Sequence, residues 1–331
     1  MNLSRIYFLL FFSISVLVGN FLILKIKDFE TDLSLFQSSV FLPKRKPIVL
    51  FFVGDIMLDR GVELMIEKEG KGDYKFPFLK IAHFLERSDI LFGNLEGPLS
   101  DKGKRVGSIY SFRMKPEAIE GLKFAGFDIL SLANNHLFDY GREALEDTFK
   151  RLKKAKIDFV GGGLNKKEAC LPKIKKIKKT KIAFLAFTNL GTKSWEAREN
   201  QAGICWLEKE NLKEYIKKAK NSAHLVIVSL HFGEEYQTKA TFSQKYFASL
   251  AIDFGADLVV GHHPHVIQEI EKYKGKYIIY SLGNFVFDQN FSKKTMEGLL
   301  LKVLIGGNKI KEVLPIKIKI NNFFQPEIIK N

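Results

Sequence analysis

IVLFFVGDIMLDR, residues 48–60, is a short, continuous apolar run that breaks into Gly54-Asp55 and then meets a second acid, Asp59, beside Arg60. Short runs of Val, Ile, Leu and Phe suit strands buried on both faces. A carboxylate at the end of such a strand is costly unless a positive group lies near it. The same rhythm recurs along the chain. DILFG (89–93) meets NLEGPLS, FDILSLA (127–133) meets NNHLFDYG, and HLVIVSL (224–230) meets HFGEEY. ADLVVG (256–261) then meets HHPHV, and YIIYSL (277–282) meets GNFVFD. Stretches 141–155 and 241–254 lie between these runs and have helical apolar spacing. Strands alternating with helices predict an α/β fold with mainly parallel pairing. Polar motifs at the carboxyl ends of those strands predict one crevice, shared by residues as distant in sequence as Asp55 and His265. Residues 297–305 and 309–320 predict a closing hairpin around Gly306-Gly307-Asn308.

The chain of 331 residues is 46% hydrophobic with 30 Phe, enough for a sizeable core. Its formal net charge of +15 suits an anionic partner: nucleic acid, a lipid surface or an acidic polymer. The charge is dispersed apart from KIKKIKKTK (173–181), whose Lys–Ile alternation reads as an exposed edge strand. Nucleic acid is therefore not the expected partner. Cys170 and Cys205 have no CxxC spacing, and two free core thiols are expected over a disulfide.

Arg5 is followed by IYFLLFFSISVLVGNFLIL (6–24), which carries no charge. A helix of that length approaches the roughly 30 Å thickness of bilayer hydrocarbon. Lys25 and Lys27 close the segment, and no small-x-small cleavage pattern precedes them. Residues 1–27 are thus expected to form a single-pass cell-membrane anchor or uncleaved signal, with a short cytoplasmic end and the bulk outside. Residues 28–47, polar with Pro43 and Pro47, read as a juxtamembrane linker. Residues 48–320 read as the folded domain and 321–331 as a tail.

Seven histidines are few for this length, and five sit in the polar motifs. HHPH carries the sharpest signal. Pro264 rules out a regular helix there and is expected to hold His263 and His265 in an extended turn, where two imidazoles reach one ion or two adjacent ones. His262 is expected to face outward. HFGEEY places His231 at a strand end with Glu234 and Glu235 after it. NNHLFD offers Asn134, Asn135, His136 and Asp139, with Asp139 expected to orient the imidazole. NLEGP supplies Asn94 and Glu96, which alternation puts on one side. Asp55 reads as a ligand or, more blandly, as a helix N-cap. His83, on a helix, and His224, at a strand start, are assigned to structure. Imidazoles and oxygen donors without thiolate suit a divalent first-row ion such as Mn, Zn or Fe, one or two of them. There is no GxSxG, no P-loop and no GxGxxG after a strand; Gly161-Gly162-Gly163 reads as a loop.

The ordered set GDIMLDR, NLEGPLS, NNHLFDYG, HFGEEY, GHHPHV and SLGNFVFD resembles the CapA (poly-γ-glutamate capsule biosynthesis) family, within the calcineurin-like metallophosphoesterase superfamily. The resemblance covers roughly 47–290 and implies a four-layer αββα sandwich with its pocket at strand ends. It implies metal ligands at Asp55, Asn135, His231, His263 and His265, to which Glu96 is added. His136 with Asp139 would be the catalytic pair. Asn94, Arg60, Glu234 and Asn284 are expected to face substrate. The chain departs from the superfamily pattern in three places. Met57 stands where D-x-H has its His, Asn94 and Glu96 replace the bridging aspartate motif, and Leu137 follows His136 with the acid displaced to Asp139. The implied function is metal-dependent, hydrolase-like work on an extracellular anionic polymer such as poly-γ-glutamate, beside membrane-bound synthase subunits. A non-catalytic assembly factor and a general phosphodiesterase or phosphatase are the alternatives.

Overall fold

Side chains of the first strand, β1 (Ile48–Ile56), divide between two cores. Leu50 and Phe52 enter one and Phe51 and Val53 the other, the period of two of a pleated strand. The computed structural model describes residues 46–106 and 109–329, with 13, 15–20, 22, 23 and 25 of the N-terminal segment. After β1 come α1 (Arg60–Lys68), α2 (Ala82–Leu85), β2 (Ile90–Leu95), α3 (Ala118–Ala125), β3 (Ile129–Ser131), α4 (Gly141–Ala155) and β4 (Asp158–Val160). The chain continues through β5 (Gly162–Gly163), α5 (Lys166–Cys170), β6 (Lys173–Ile177), β7 (Thr180–Thr188) and β8 (Gly203–Ile204). Then follow α6 (Lys209–Ser222), β9 (Leu225–His231), α7 (Phe242–Asp253) and β10 (Leu258–His262). The last strands are β11 (Ile270–Tyr273), β12 (Lys276–Ile279), β13 (Asn284–Val286), β14 (Glu297–Gly306), β15 (Lys309–Ile320) and β16 (Pro326–Ile328).

One sheet runs β16-β15-β14-β1-β2-β3-β4, with β13 also on β1, and a second runs β11-β12-β10-β9-β7-β6. Strands β1 to β4 are parallel, as are β7, β9, β10 and β12. The sheets face each other across a core that includes Leu50, Phe52, Phe92, Phe184, Ile227 and Val260. The outer face of the first sheet packs on Val62, Ile66, Leu122, Leu145 and Phe149 of α1, α3 and α4. The second is covered by Leu212, Ile216, Ala248 and Ile252 of α6 and α7. Three cores separate four layers, αββα, within the unit Pro47–Asn331.

The β14–β15 hairpin turns at Gly307 (φ 59°) and Asn308 (φ 59°), both left-handed as a two-residue primed turn requires. Of the lysine-rich run 173–181, Lys173–Ile177 form edge strand β6, and the remainder turns into β7. The segment read as a tail contributes β16, which pairs with β15, and Gly162–Gly163, read as loop, pairs with β8. Cys170 and Cys205 are not free thiols: they form a disulfide, Cα–Cα 5.0 Å. The end of α5 packs against the exit of β8 in one core, a tertiary juxtaposition that spacing in sequence does not reveal. Among the described residues no helix is long and apolar enough to cross a membrane, and the expected 6–24 span lies largely outside them.

Candidate metal centre

Strand polarity builds the site. β1, β2, β9 and β10 all deliver their carboxyl ends to one side of the sandwich, so Asp55, Asn94, Glu96, His231 and His262 meet there. Asp55 pairs in register with Asn94 on β2 and with Asn284 on β13. The approach of β13 depends on Gly54, where an added Cβ would stand 1.9 Å from Gly283 O. Asp55 is not a helix cap. Asp59 takes that role, accepting from Arg60 N–H at the start of α1.

Asn94 is the hub of the amide network. Its Nδ2 donates to Asp55 Oδ1 (2.8 Å) and Glu96 Oε2 (3.3 Å) and lies 3.3 Å from His231 Nδ1. Its Oδ1 accepts from Asn134 Nδ2 at 3.2 Å. Asn134 also donates to Leu95 O (2.8 Å) and accepts from His136 N–H (3.1 Å), tying the NNH turn to the end of β2. The sequence marked Asn134 only as one of two costly amides; its positioning role comes from the fold. Asn135 Oδ1 is 2.7 Å from His231 Nε2, so an ion bound by this pair would replace their hydrogen bond. His136 packs on Phe112, ring centroids 4.1 Å apart. Its Nδ1 is 2.7 Å from Asp139 Oδ2, and Nε2 faces Glu96 Oε1 at 3.9 Å.

The HHPH turn differs from expectation in two ways. His262 does not face outward: it is fully buried, with Nδ1 3.4 Å from Asp55 Oδ1. It shares the inward face with Val260, two residues earlier on β10, and that alternation is the signal that could have placed it. The turn is not extended either. His263 (φ 96°) and His265 (φ 56°) both occupy left-handed backbone. This conformation brings His263 N–H to Asp55 Oδ2 (3.2 Å) and His265 Nδ1 within 2.9 Å of Asn284 Oδ1 and 3.4 Å of Asp55 Oδ2. His265 Nε2 stands 3.4 Å from Glu96 Oε1.

The electrostatics follow from burial against close partners. Burial raises the Asp55 carboxyl, but hydrogen bonds and charge from His262 and His265 outweigh it and hold the group well below the usual range. Burial lifts Glu96 well above its ordinary value, with the charge of His265 pulling the other way. Burial pushes His231 well down and, together with the charge of His265, brings His263 to about 3. His265 reaches about 9 because Glu96 and Asp55 overcome its burial. A proton on His265 supplies positive charge where the carboxylates converge, as a bound cation would.

Two sets of side chains could hold such a cation, each with ligand atoms within 4.8 Å of one another: Asp55, Glu96 and His265, and Glu235, His263 and His265. Glu96 Oε1 and His263 Nδ1 are buried with no hydrogen-bond partner. An unsatisfied buried polar group costs about 1–3 kcal/mol, which coordination would relieve. The residues present fit a divalent ion. Among the other expected residues, Asn284 supports His265 and donates to Gln289 Oε1 and Thr295 O, both at 3.0 Å. Arg60 lies at the rim, paired with Asp288 and 4.8 Å over the Phe112 ring. Glu234 is exposed and belongs to neither ligand set; its neighbour Glu235, noted in the sequence without a role, belongs to one.

Two facing sheets with His, Asp, Glu and Asn gathered at their strand ends define a mixed α/β protein with one polar crevice. A hypothetical protein from Thermus thermophilus shares the fold, with TM-score 0.52 and 14% identity over 82% of this chain and 99% of that one. A calcineurin-like phosphoesterase of Bacillus subtilis, YfkN, is another structural neighbour (TM-score 0.46, 15% identity, 82% of this chain and 90% of that one). The chain belongs to the bacterial capsule synthesis protein family PGA_cap, whose model matches residues 49–289. It is similar to the capsule biosynthesis protein CapA of Bacillus anthracis, 36% identical over 83% of this chain and 69% of that protein. The PGA biosynthesis protein CapA of Bacillus subtilis is 34% identical over 84% of this chain and 76% of its own length.

Proposed function

We propose that this chain is a membrane-anchored, metal-dependent, hydrolase-like protein acting in the synthesis, release or attachment of an extracellular anionic polymer, poly-γ-glutamate by kinship. The observation that carries the reading is Glu96 Oε1, a fully buried carboxylate oxygen with no hydrogen bond, set among converging imidazoles. Asp55, Glu96, Asn135, His231, His263 and His265 would hold one or two ions, which supply Lewis acidity when bound. Asp139 accepts the Nδ1 proton of His136, and Nε2 is then turned to the pocket to carry a proton to a leaving group. Asn94 and Asn134 hold the ligand-bearing turns in register, while Asn284 fixes the ring of His265.

The formal charge of +15 supports a polyanionic partner, with membrane-bound synthase subunits as further partners. The apolar segment 6–24 supports anchoring. The Cys170–Cys205 disulfide supports an extracytoplasmic domain, because such bonds persist in oxidising compartments. A second reading, a non-catalytic assembly factor, draws on the hydrogen bond between His231 Nε2 and Asn135 Oδ1, which already occupies both atoms.

Elemental analysis of the purified full chain, before and after incubation with Mn, Zn or Fe salts, separates the two. The expected result is bound metal in the native protein and background levels in the His263→Ala, His265→Ala double variant. A native protein that neither carries nor takes up metal would sink the hydrolase reading in favour of the assembly factor. Parallel turnover of chromogenic phosphoesters and of poly-γ-glutamate tests the bond type.

A further inference from the structure

The backbone beside the HHPH turn is fastened at two points. Phe232 N–H donates to His262 O (3.2 Å) and Tyr236 N–H donates to Pro264 O (2.8 Å), so residues 233–235 form an arch tied at both ends to the HHPH segment. Gly233 opens the arch at φ 98°, where a Cβ would stand 2.4 Å from the Gln244 amide. Gln244 itself is locked in the capping box of α7 and donates to Gln268. Tyr236 (φ 63°), His263 (φ 96°) and His265 (φ 56°) are three left-handed, non-glycine residues at one place. Such strain costs about 1–3 kcal/mol per residue and persists where the surroundings over-determine it, which is common at ligand clamps. A side-chain chain completes the fastening: Gln289 Nε2 donates to Tyr236 Oη (3.2 Å), Asn284 donates to Gln289, and His265 bonds Asn284.

We propose that Glu235 is a metal ligand, forming with His263 and His265 an outer cation position beside the inner set of Asp55, Glu96 and His265. The proposal rests on the metal-centre reading above and adds to it a ligand from the arch. The ligand atoms of the outer set lie within 4.8 Å of one another. Nitrogen and oxygen ligands about 2.0–2.2 Å from a tetrahedral ion stand roughly 3.3 Å apart, so small side-chain rotations close the set. His263 supplies a second observation, since its Nδ1 is buried and has no hydrogen-bond partner. The chemistry is that of a first-row divalent ion, with no thiolate and at least one imidazole. The inner residues are buried and Glu235 is exposed, so the outer ion exchanges with solvent more readily. His265 belongs to both sets, and filling one position therefore weakens the other.

The test is a titration of the full chain with Mn or Zn against a chelating indicator dye, comparing native protein with Glu235→Gln, Glu235→Asp and Glu234→Gln. The native protein is expected to show a tight and a weaker phase. Glu235→Gln should weaken the second phase tenfold or more, Glu235→Asp should restore part of it, and Glu234→Gln should leave both phases unchanged. Circular dichroism melts confirm that these exposed substitutions leave the fold intact. Binding by Glu235→Gln that is indistinguishable from native overturns the proposal, as does equal weakening by Glu234→Gln. A native protein that binds no metal at all fails the metal-centre reading itself and takes the proposal with it.

Discussion

At the amino ends of β9, β10 and β12, the buried Asp257 is fully answered by its neighbours. Lys220 Nζ lies 2.9 Å from it and Lys276 Nζ 2.6 Å, and Val226 N–H donates to it at 3.0 Å. At the carboxyl ends of β9, β10 and β2, Glu96, His262 and His263 are as deeply buried and retain polar atoms without hydrogen bonds. A cavity of about 450 Å³ lies at the amino end, lined by Lys220, Asp257, Lys276 and Lys309 among others. Volume therefore does not locate the chemistry in this fold. Buried polar atoms without hydrogen bonds do, because a chain keeps such groups in its interior only where something else completes them. One end of the strands spends its charges on holding the fold, and the other gathers the groups to which the proposed function assigns a cation.

The largest effect that would break this contrast concerns His136. His136→Ala should lower turnover about 10²–10⁴-fold, the usual contribution of a positioned general acid, while bound metal measured by elemental analysis stays at the native level. Loss of metal in that variant would make His136 a ligand and dissolve the division of labour between the ligand sets and the His136–Asp139 pair.

Much of this was legible in the sequence, for physical reasons that also mark where legibility stopped. Doubly buried parallel strands impose long apolar runs, so β1, β9 and β10 announced themselves, and their carboxyl-end motifs announced the crevice. Asn94 and Glu96 were readable as a pair because two positions along a strand share a side. The inward turn of His262 obeyed the same rule, but the proline beside it drew attention to the turn instead. Left-handed backbone at His263 and His265 could not be read, since nothing local favours it and only tertiary hydrogen bonds, such as His263 N–H to Asp55, sustain it. That Glu235 and not Glu234 falls in a candidate ligand set was equally hidden, since tertiary backbone bonds fasten both ends of that segment. The Cys170–Cys205 pairing depends on where α5 lands against β8, which no spacing encodes.

A smaller effect sharpens the contrast from the structural end. Asp257→Asn keeps the shape of the side chain and removes its charge, leaving two half-exposed lysines to solvent. The loss should be about 1–3 kcal/mol, read as a lower urea midpoint with unchanged slope. Metal binding should not move. A change in metal affinity from this substitution would mean that the two ends of the strands are coupled rather than separate.

The smallest effect is a pH dependence, also at the amino end. Asp158, at the start of β4, receives Lys175 Nζ at 2.6 Å and Lys173 Nζ at 2.9 Å from alternate positions of edge strand β6. Burial raises its carboxyl, but the hydrogen bonds and charges of the two lysines outweigh that, and the net shift is below the ordinary value of 3.8. The sign follows from proton linkage. As pH falls through the ordinary aspartate range, the unfolded chain takes up the proton first, so stability contributed by the pairing is fully present above that range and is lost through the lower, folded value. Both lysines are partly exposed, which keeps the contribution below about 1 kcal/mol. Urea midpoints for native protein and Asp158→Asn should therefore differ slightly at neutral pH and converge in acid. A gap that persists unchanged in acid would show that Asp158 stabilises β4 and β6 through packing rather than charge.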